Sequence, residues 1–333
     1  MTPKEEFVQK DRVIDFHSHV VDLRLLDACG AHSVQTGFGQ RPFPRPGDGS
    51  GKGEVYARMA DPLVHIDHMD AVGVDASVIS VSSVLQNTWW ADPKSDLQMT
   101  RQLNDMIADW TVRYPGRFIG CFTLPMVDPN DLMSEFERAV DQLHLPVVGL
   151  PANINGSYLG ESRFVPLWEA IEERGIVAFI HPHGVADPWF QNYRMWNSIG
   201  QSIEEVKVMS SLIYEGTLDK HPRLKIVMAH GGGYFPHYLG RLDRNVTNYP
   251  DTTKNISDKP SGYLRRFYYD TCVYDPVVLR ALIDRIGADR LVLGSDFPVG
   301  ENDPIGFISA LPNLSQEDVE QISKRNSATL LQM

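Results

Sequence analysis

The segment Asp15-Phe16-His17-Ser18-His19 closes a short apolar run with two histidines one residue apart, a spacing that can serve metal chemistry. In a strand alternate side chains share a face, so His17 and His19 can converge on one point. Two imidazoles so placed make half of a zinc site. A lone pair of this kind is better explained structurally, as buried histidines satisfied by their neighbours. Three further polar residues end apolar runs in the same way: His181 after IVAFI, His230 after KIVMA and Asp296 after LVLGS. Helix caps or satisfied core histidines explain any one of these, but not five groups converging from four strands. His17, His19, His181 and Asp296 form an N,N,N,O set that suits one zinc ion, with manganese, iron or cobalt as alternatives. His230 is assigned to catalysis. A neutral imidazole beside a metal-bound water can take its proton, and the metal lowers the pKa of that water towards neutrality. Asp296 can instead orient the water, so it stands as a catalytic residue as well as a ligand.

The elements that must hold these residues alternate between short β-rich runs and longer segments of helical period. The strands are expected at Val13–His17, Ser77–Ser83, Arg117–Leu124, Pro146–Leu150, Ile176–His181, Lys225–His230, Arg266–Thr271 and Arg290–Ser295. Eight strands with helices between them imply parallel βα units and a (β/α)8 barrel, whose active site lies at the C-terminal ends of its strands. Leu103, Met106, Ile107 and Trp110 form one apolar helical stripe, and Leu279, Leu282, Ile283 and Ile286 another. The second helix has Asp275 as N-cap, Pro276 at its first position and Gly287 past its end. Ser315 and Asp318 make a capping box for a last helix ending near Leu331. Two segments are too long for ordinary loops: the Gly/Pro-rich stretch over 20–60, after strand 1, and the aromatic-rich stretch over 184–200, after strand 5. Both are read as substrate-binding insertions in a single domain over 1–333.

The length of 333 residues fits one barrel of roughly 250 residues plus insertions. A net charge of −12 and the absence of a dense basic run argue against nucleic acid as a partner. No apolar run is long enough to span a membrane, and the polar start MTPKEEFVQKDR lacks a signal-peptide core. The three cysteines, Cys29, Cys121 and Cys272, match no metal or redox spacing and suit a cytoplasmic protein. Gly231–Gly233 follow a strand but lack dinucleotide-binding spacing, although their N–H groups could hold an anion. An anionic substrate in so acidic a chain requires local arginines or a metal.

The stretches YPGRFIGCFTLPM (Tyr114–Met126), AHGGGYFPHYLGR (Ala229–Arg241) and LVLGSDFP (Leu291–Pro298) resemble the decarboxylase branch of the amidohydrolase superfamily. The likeness runs from about Ile14 to Leu331 and is nearest to the 2-amino-3-carboxymuconate-6-semialdehyde decarboxylases. It implies one zinc on His17, His19, His181 and Asp296, with His230 as the catalytic histidine. A binuclear amidohydrolase carries a lysine at the end of strand 4, where this chain has Val148-Gly149-Leu150-Pro151-Ala152-Asn153. The resemblance further implies substrate contacts at Arg58, Trp196, Arg241 and Phe297. Arg241 would reach the substrate carboxylate of a neighbouring subunit, which makes the chain a homodimer. Three positions depart from the family. Arg58 is only the nearest match to its insertion arginine, Trp196 is one residue out of register, and His183 stands where the family has tryptophan. Branches acting on hydroxybenzoates typically replace the first histidine by glutamate, so the His17–His19 pair sets this chain apart from them. The implied reaction is metal-dependent, non-oxidative decarboxylation of a small unsaturated or aromatic carboxylate. Hydrolysis or hydration by the same metal-bound water is the alternative, and a catalytically silent metal-binding protein is a third reading.

Overall fold

Eight parallel strands, each paired with the next in chain order, wrap into a barrel in the computed structural model, which describes residues 12–333. They are β1 Ile14–Val20, β2 Ala76–Val81, β3 Phe118–Phe122, β4 Val147–Pro151, β5 Val177–His181, β6 Lys225–Met228, β7 Phe267–Asp270 and β8 Leu291–Val292. The barrel closes where the chain from β8 onward meets β1. Phe16 N–H donates to Leu293 O at 2.7 Å, Asp296 N–H to His17 O at 2.8 Å and His19 N–H to Phe297 O at 2.9 Å. Residues 1–11, part of the N-terminal stretch read above as lacking a leader, lie outside the described residues.

Strand β1 is not a simple period-2 ladder. Ile14 and Asp15 pair with Ala76 and Ser77, but Ser18 pairs with Ile79, so β1 carries one extra residue. Such a bulge puts two consecutive side chains on one face. Phe16 accordingly packs edge-on against Phe179 at 6.1 Å, and His17 packs against the same ring at 5.1 Å. Residues that fill the barrel interior (Ile14, Phe16, Val78, Val147, Val177, Phe179, Val227, Val292) thus give way directly to the histidines. A larger apolar layer lies between strands and helices and includes Leu103, Ile107 and Trp110 of helix Pro93–Arg113. Burying each large side chain of this kind contributes roughly 1.5–3 kcal/mol.

The expected caps are present. Asp275 accepts from the backbone of Val277 and Val278 at the start of helix Pro276–Ile286, and Ser315 and Asp318 form the reciprocal box. A two-stranded hairpin, Asn153–Ile154 with Ser157–Tyr158, follows β4 and was not expected from the sequence. The 20–60 stretch contains helices Leu26–Gly30 and Gly51–Met59, and the 184–200 stretch contains the 3-10 segment Pro188–Arg194 and the short helix Met195–Ser198. They are tied together: Val34 N–H donates to His183 Nε2 at 3.2 Å, and Gln191 Nε2 donates to Val34 O at 2.8 Å. No helix among the described residues is long and apolar enough to cross a membrane. All three cysteines are buried and free.

Candidate metal centre and active site

His17 and His19 from β1, His181 from the end of β5 and Asp296 just past β8 each bring one ligand-type atom into a group spanning no more than 4.8 Å. The Nε2 atoms of His17 and His19 lie 3.1 Å apart, and Asp296 Oδ1 lies 3.4 Å and 3.1 Å from them. The His181 ring sits 5.0 Å and 4.8 Å from those of His17 and His19. Neighbouring oxygens select the nitrogen each histidine offers. His17 Nδ1 pairs with Asp270 Oδ2 at 2.6 Å and His19 Nδ1 with Ser80 Oγ at 3.3 Å, which leaves both Nε2 lone pairs facing the group.

Electrostatics favours ligation. Burial pulls the His19 and His181 pKa values down, so both imidazoles stay neutral. Burial alone would raise the Asp296 carboxyl, but the surrounding histidines hold it well below the usual range. Asp296 Oδ1 and His181 Nδ1 are buried and have no hydrogen-bond partner. Buried orphan polar atoms are costly, and a divalent cation would satisfy both. Three imidazoles and a carboxylate are a fitting donor set for it.

His230 stands beside this group without joining it. Its ring centre is 5.3 Å from that of His17 and 5.0 Å from that of His181. It sits in left-handed backbone, φ 49°, and Gly231, Gly232 and Gly233 continue the turn at φ 60°, 72° and 59°. The turn after β6 therefore folds back over the barrel mouth. At Gly233 a Cβ would fall 2.5 Å from Glu205 Oε2, so glycine is required for Glu205 of helix Gly200–Tyr214 to reach His230. Glu205 Oε1 accepts from His230 Nδ1 at 2.6 Å. Burial would lower the His230 pKa, but Glu205, Asp296 and Asp270 outweigh it and raise it. The Gly231 N–H donates inward to Asp270 Oδ1 at 3.0 Å, so it is not available to an external anion.

A cavity of about 790 Å³ opens above these residues, with His19, His181, His230 and Asp296 in its wall. That volume suits a small-molecule ligand. Trp196 lines it, as expected, and Lys52, Arg194 and Tyr274 line it too. Arg58, Phe297 and Arg241 are not in its lining. Arg58 is exposed with its guanidinium 5.0 Å over the ring of Phe297, and Phe297 is buried against His65 and His68 rather than open to the cavity. The reason is helical phase: helix Gly51–Met59 turns Val55, Tyr56 and Met59 to the cavity and Arg58 away, so Lys52 carries the insertion's positive charge inward. Arg241 is exposed on helix Gly240–Asn248 and does not line the cavity of its own chain. His183 holds the Val34 backbone. Glu205, Asp270, Ser80, Lys52, Arg194 and Tyr274 were not singled out in the sequence. Only Asp270, ending the run FYYD, carries the apolar-run-then-polar signal that marked the others.

A protein-family model described as amidohydrolase matches residues 14–333. The 2-amino-3-carboxymuconate-6-semialdehyde decarboxylase of Dictyostelium discoideum is 31% identical over 289 residues, which span 85% of this chain and 80% of its own. The solved 5-carboxyvanillate decarboxylase of Sphingomonas paucimobilis superposes with a TM-score of 0.85 at 28% identity, covering 97% of this chain and 99% of its own. A second 5-carboxyvanillate decarboxylase, from Novosphingobium aromaticivorans and solved with bound manganese, has a TM-score of 0.85 at 21% identity, covering 97% of each chain.

Proposed function

The chain belongs to the amidohydrolase family, among its metal-dependent decarboxylases, and from that premise we propose how its own residues remove CO2 from an unsaturated or aromatic carboxylic acid. The reading rests chiefly on one observation: His17, His19, His181 and Asp296 gather within 4.8 Å, and the last three line a cavity that His230 lines too. Those four residues would hold one divalent cation. The N,N,N,O set suits zinc best, and the manganese in the Novosphingobium structure makes that ion the second to test. Such a cation polarises a substrate oxygen and lowers the pKa of a water beside it.

His230 is the proton carrier. Its Nδ1–H is committed to Glu205, so Nε2 is the nitrogen that exchanges protons with the cavity. The acid form delivers a proton to the carbon that bears the carboxylate. The bond from that carbon to the carboxylate carbon then breaks, its electron pair restores the π system, and CO2 leaves. A proton from solvent recharges His230, and no electron acceptor is consumed. Lys52 and Arg194 face the substrate from the two segments at the cavity mouth, and Trp196 offers a flat wall. Lys52 has Gln35 Oε1 at 3.4 Å and the Trp196 ring at 5.4 Å. Its ammonium therefore has hydrogen-bonding capacity to spare for a carboxylate. Arg241 would complete the carboxylate site of a partner subunit in a homodimer, an assignment that rests on the family likeness and on its exposure in its own chain.

The test is product analysis. Metal-loaded protein is incubated with carboxylated muconate semialdehydes and with aromatic acids, and released CO2 is measured against loss of substrate. One CO2 per substrate consumed is expected. Substrate turnover to a hydrated or hydrolysed product with no CO2, or full activity in metal-free protein, overturns the reading.

A further inference from the structure

Tyr274 has no part in the chemistry above, yet three separate features bring it to the centre. Its hydroxyl donates to Asp296 Oδ2 at 2.7 Å. Its backbone lies at φ 56°, a region bulky residues rarely occupy, and Asp296 lies at φ 57°. Strain of this kind gathers at functional sites. The third feature is a vacated space. A Cβ on Gly300 would fall 2.7 Å from the Tyr274 hydroxyl oxygen and 2.6 Å from Asp296 Cβ, so glycine is what admits the contact.

The two oxygens of Asp296 thereby differ. Oδ1 points at His17 and His19 and has no hydrogen-bond partner, whereas Oδ2 is occupied by Tyr274. A carboxylate free to swing can give a cation one oxygen or two; one pinned by a donor gives one, in a fixed direction. Oδ2 is also 4.0 Å from His230 Nε2, near enough to capture that imidazole if Tyr274 did not hold it. We propose that Tyr274 is a positioning residue that holds Asp296 as a one-oxygen ligand and keeps it apart from His230. This rests on the metal-centre reading above and deepens it.

Cobalt(II) alone serves as the probe. Metal-free wild type, Tyr274→Phe and Gly300→Ala are titrated with cobalt, following affinity by competition with a chromophoric chelator and the ligand geometry by visible absorption. Tyr274→Phe keeps the ring on the cavity wall and removes only the hydroxyl. Losing an orienting partner of a ligand typically weakens metal binding 10–100-fold; that loss, with an altered cobalt spectrum and an unchanged unfolding temperature of the metal-free protein, is expected. Gly300→Ala should reproduce the spectral change by displacing the phenol, and if it fails to fold, Tyr274→Phe decides alone. Wild-type affinity and spectrum in Tyr274→Phe would overturn the proposal, as would a metal-free variant that is itself destabilised, since that marks a purely structural role. A wild type that takes up no cobalt would overturn the metal centre instead.

Discussion

In His17, His19 and His230 alike a neighbour has taken Nδ1, so position relative to the ligand group, and not tautomer, would separate the ligands from the proton carrier. Asp270 and Ser80 occupy Nδ1 of His17 and His19 and leave Nε2 free to ligate, and Glu205 occupies Nδ1 of His230. Substitution should therefore separate the two roles. His230→Ala is expected to retain the metal and lose turnover by about 10²–10⁴-fold, the usual contribution of a general acid–base group. His17→Ala and His181→Ala are expected to lose the metal itself. Elemental analysis alongside kcat reads both effects, and an empty site in His230→Ala would make His230 a ligand. Glu205→Gln, which keeps the hydrogen bond but removes the charge, should lower kcat while metal content stays at wild-type level. The sequence singles out His17 and His19 by their one-residue spacing, and His181, His230 and Asp296 because each ends an apolar run. It singles out neither Glu205 nor Tyr274. One is a carboxylate among others on an ordinary helix and the other a tyrosine in a loop, and only the fold brings them to the centre.

At the scale of elements, strands and caps follow from local pattern, and the expected strand positions agree with the observed ones to within a few residues. Register does not. A period-2 pattern cannot show that β1 has one more residue than β2 between paired positions, yet that bulge is what turns both Phe16 and His17 inward. Nor does spacing show which way a short helix faces: Lys52, and not Arg58, lines the cavity. Helix Pro62–Val72 illustrates how packing sets a chemical property. It buries His65 against Trp110 and Phe297, with Ser18 Oγ 3.3 Å from Nδ1. Burial, with smaller contributions from His68 and Arg58, lowers the His65 pKa from 6.5 to about 3. Between those two values the unfolded chain binds a proton that the folded chain does not. Stability is therefore lost as pH falls below 6.5, by about 1.4 kcal/mol per pH unit from this residue. Urea unfolding of wild type and His65→Gln at pH 7 and pH 5 reads the effect. Wild type should lose about 2 kcal/mol more than the variant over that interval. Equal losses would mean that His65 titrates normally in the folded protein.

For the whole molecule, the governing problem is an anionic substrate entering a chain of net charge −12. The proposed metal ligands would come from the barrel's strands and the turn after the last of them, but the positive charge must come from outside the barrel. Lys52 and Arg194 come from the two segments that meet across the mouth through His183, Val34 and Gln191. Replacing Lys52 by Met keeps the stem and removes the charge. A hydrogen bond to a charged group contributes about 1.5–3 kcal/mol, so KM for a carboxylate substrate should rise at least about tenfold with metal content unchanged. An unaltered KM would remove Lys52 from the binding site. Arg241 poses the same question across a subunit boundary. It is exposed and does not line its own cavity, and its planar fork of donors suits a carboxylate as a lysine does not. In a two-fold dimer each subunit would lend Arg241 to the other. The inactive variants His230→Ala and Arg241→Ala are therefore mixed in equal amounts, dissociated and allowed to re-associate at random. Half of the dimers are then mixed, and in each of these one site holds an intact His230 together with an intact Arg241 from its partner. About a quarter of wild-type activity should return, as two-fold exchange requires. If Arg241 acts within its own chain, every site lacks one of the two residues and mixing restores nothing. A chain that sediments as a monomer at assay concentration would rule out the exchange before any mixing.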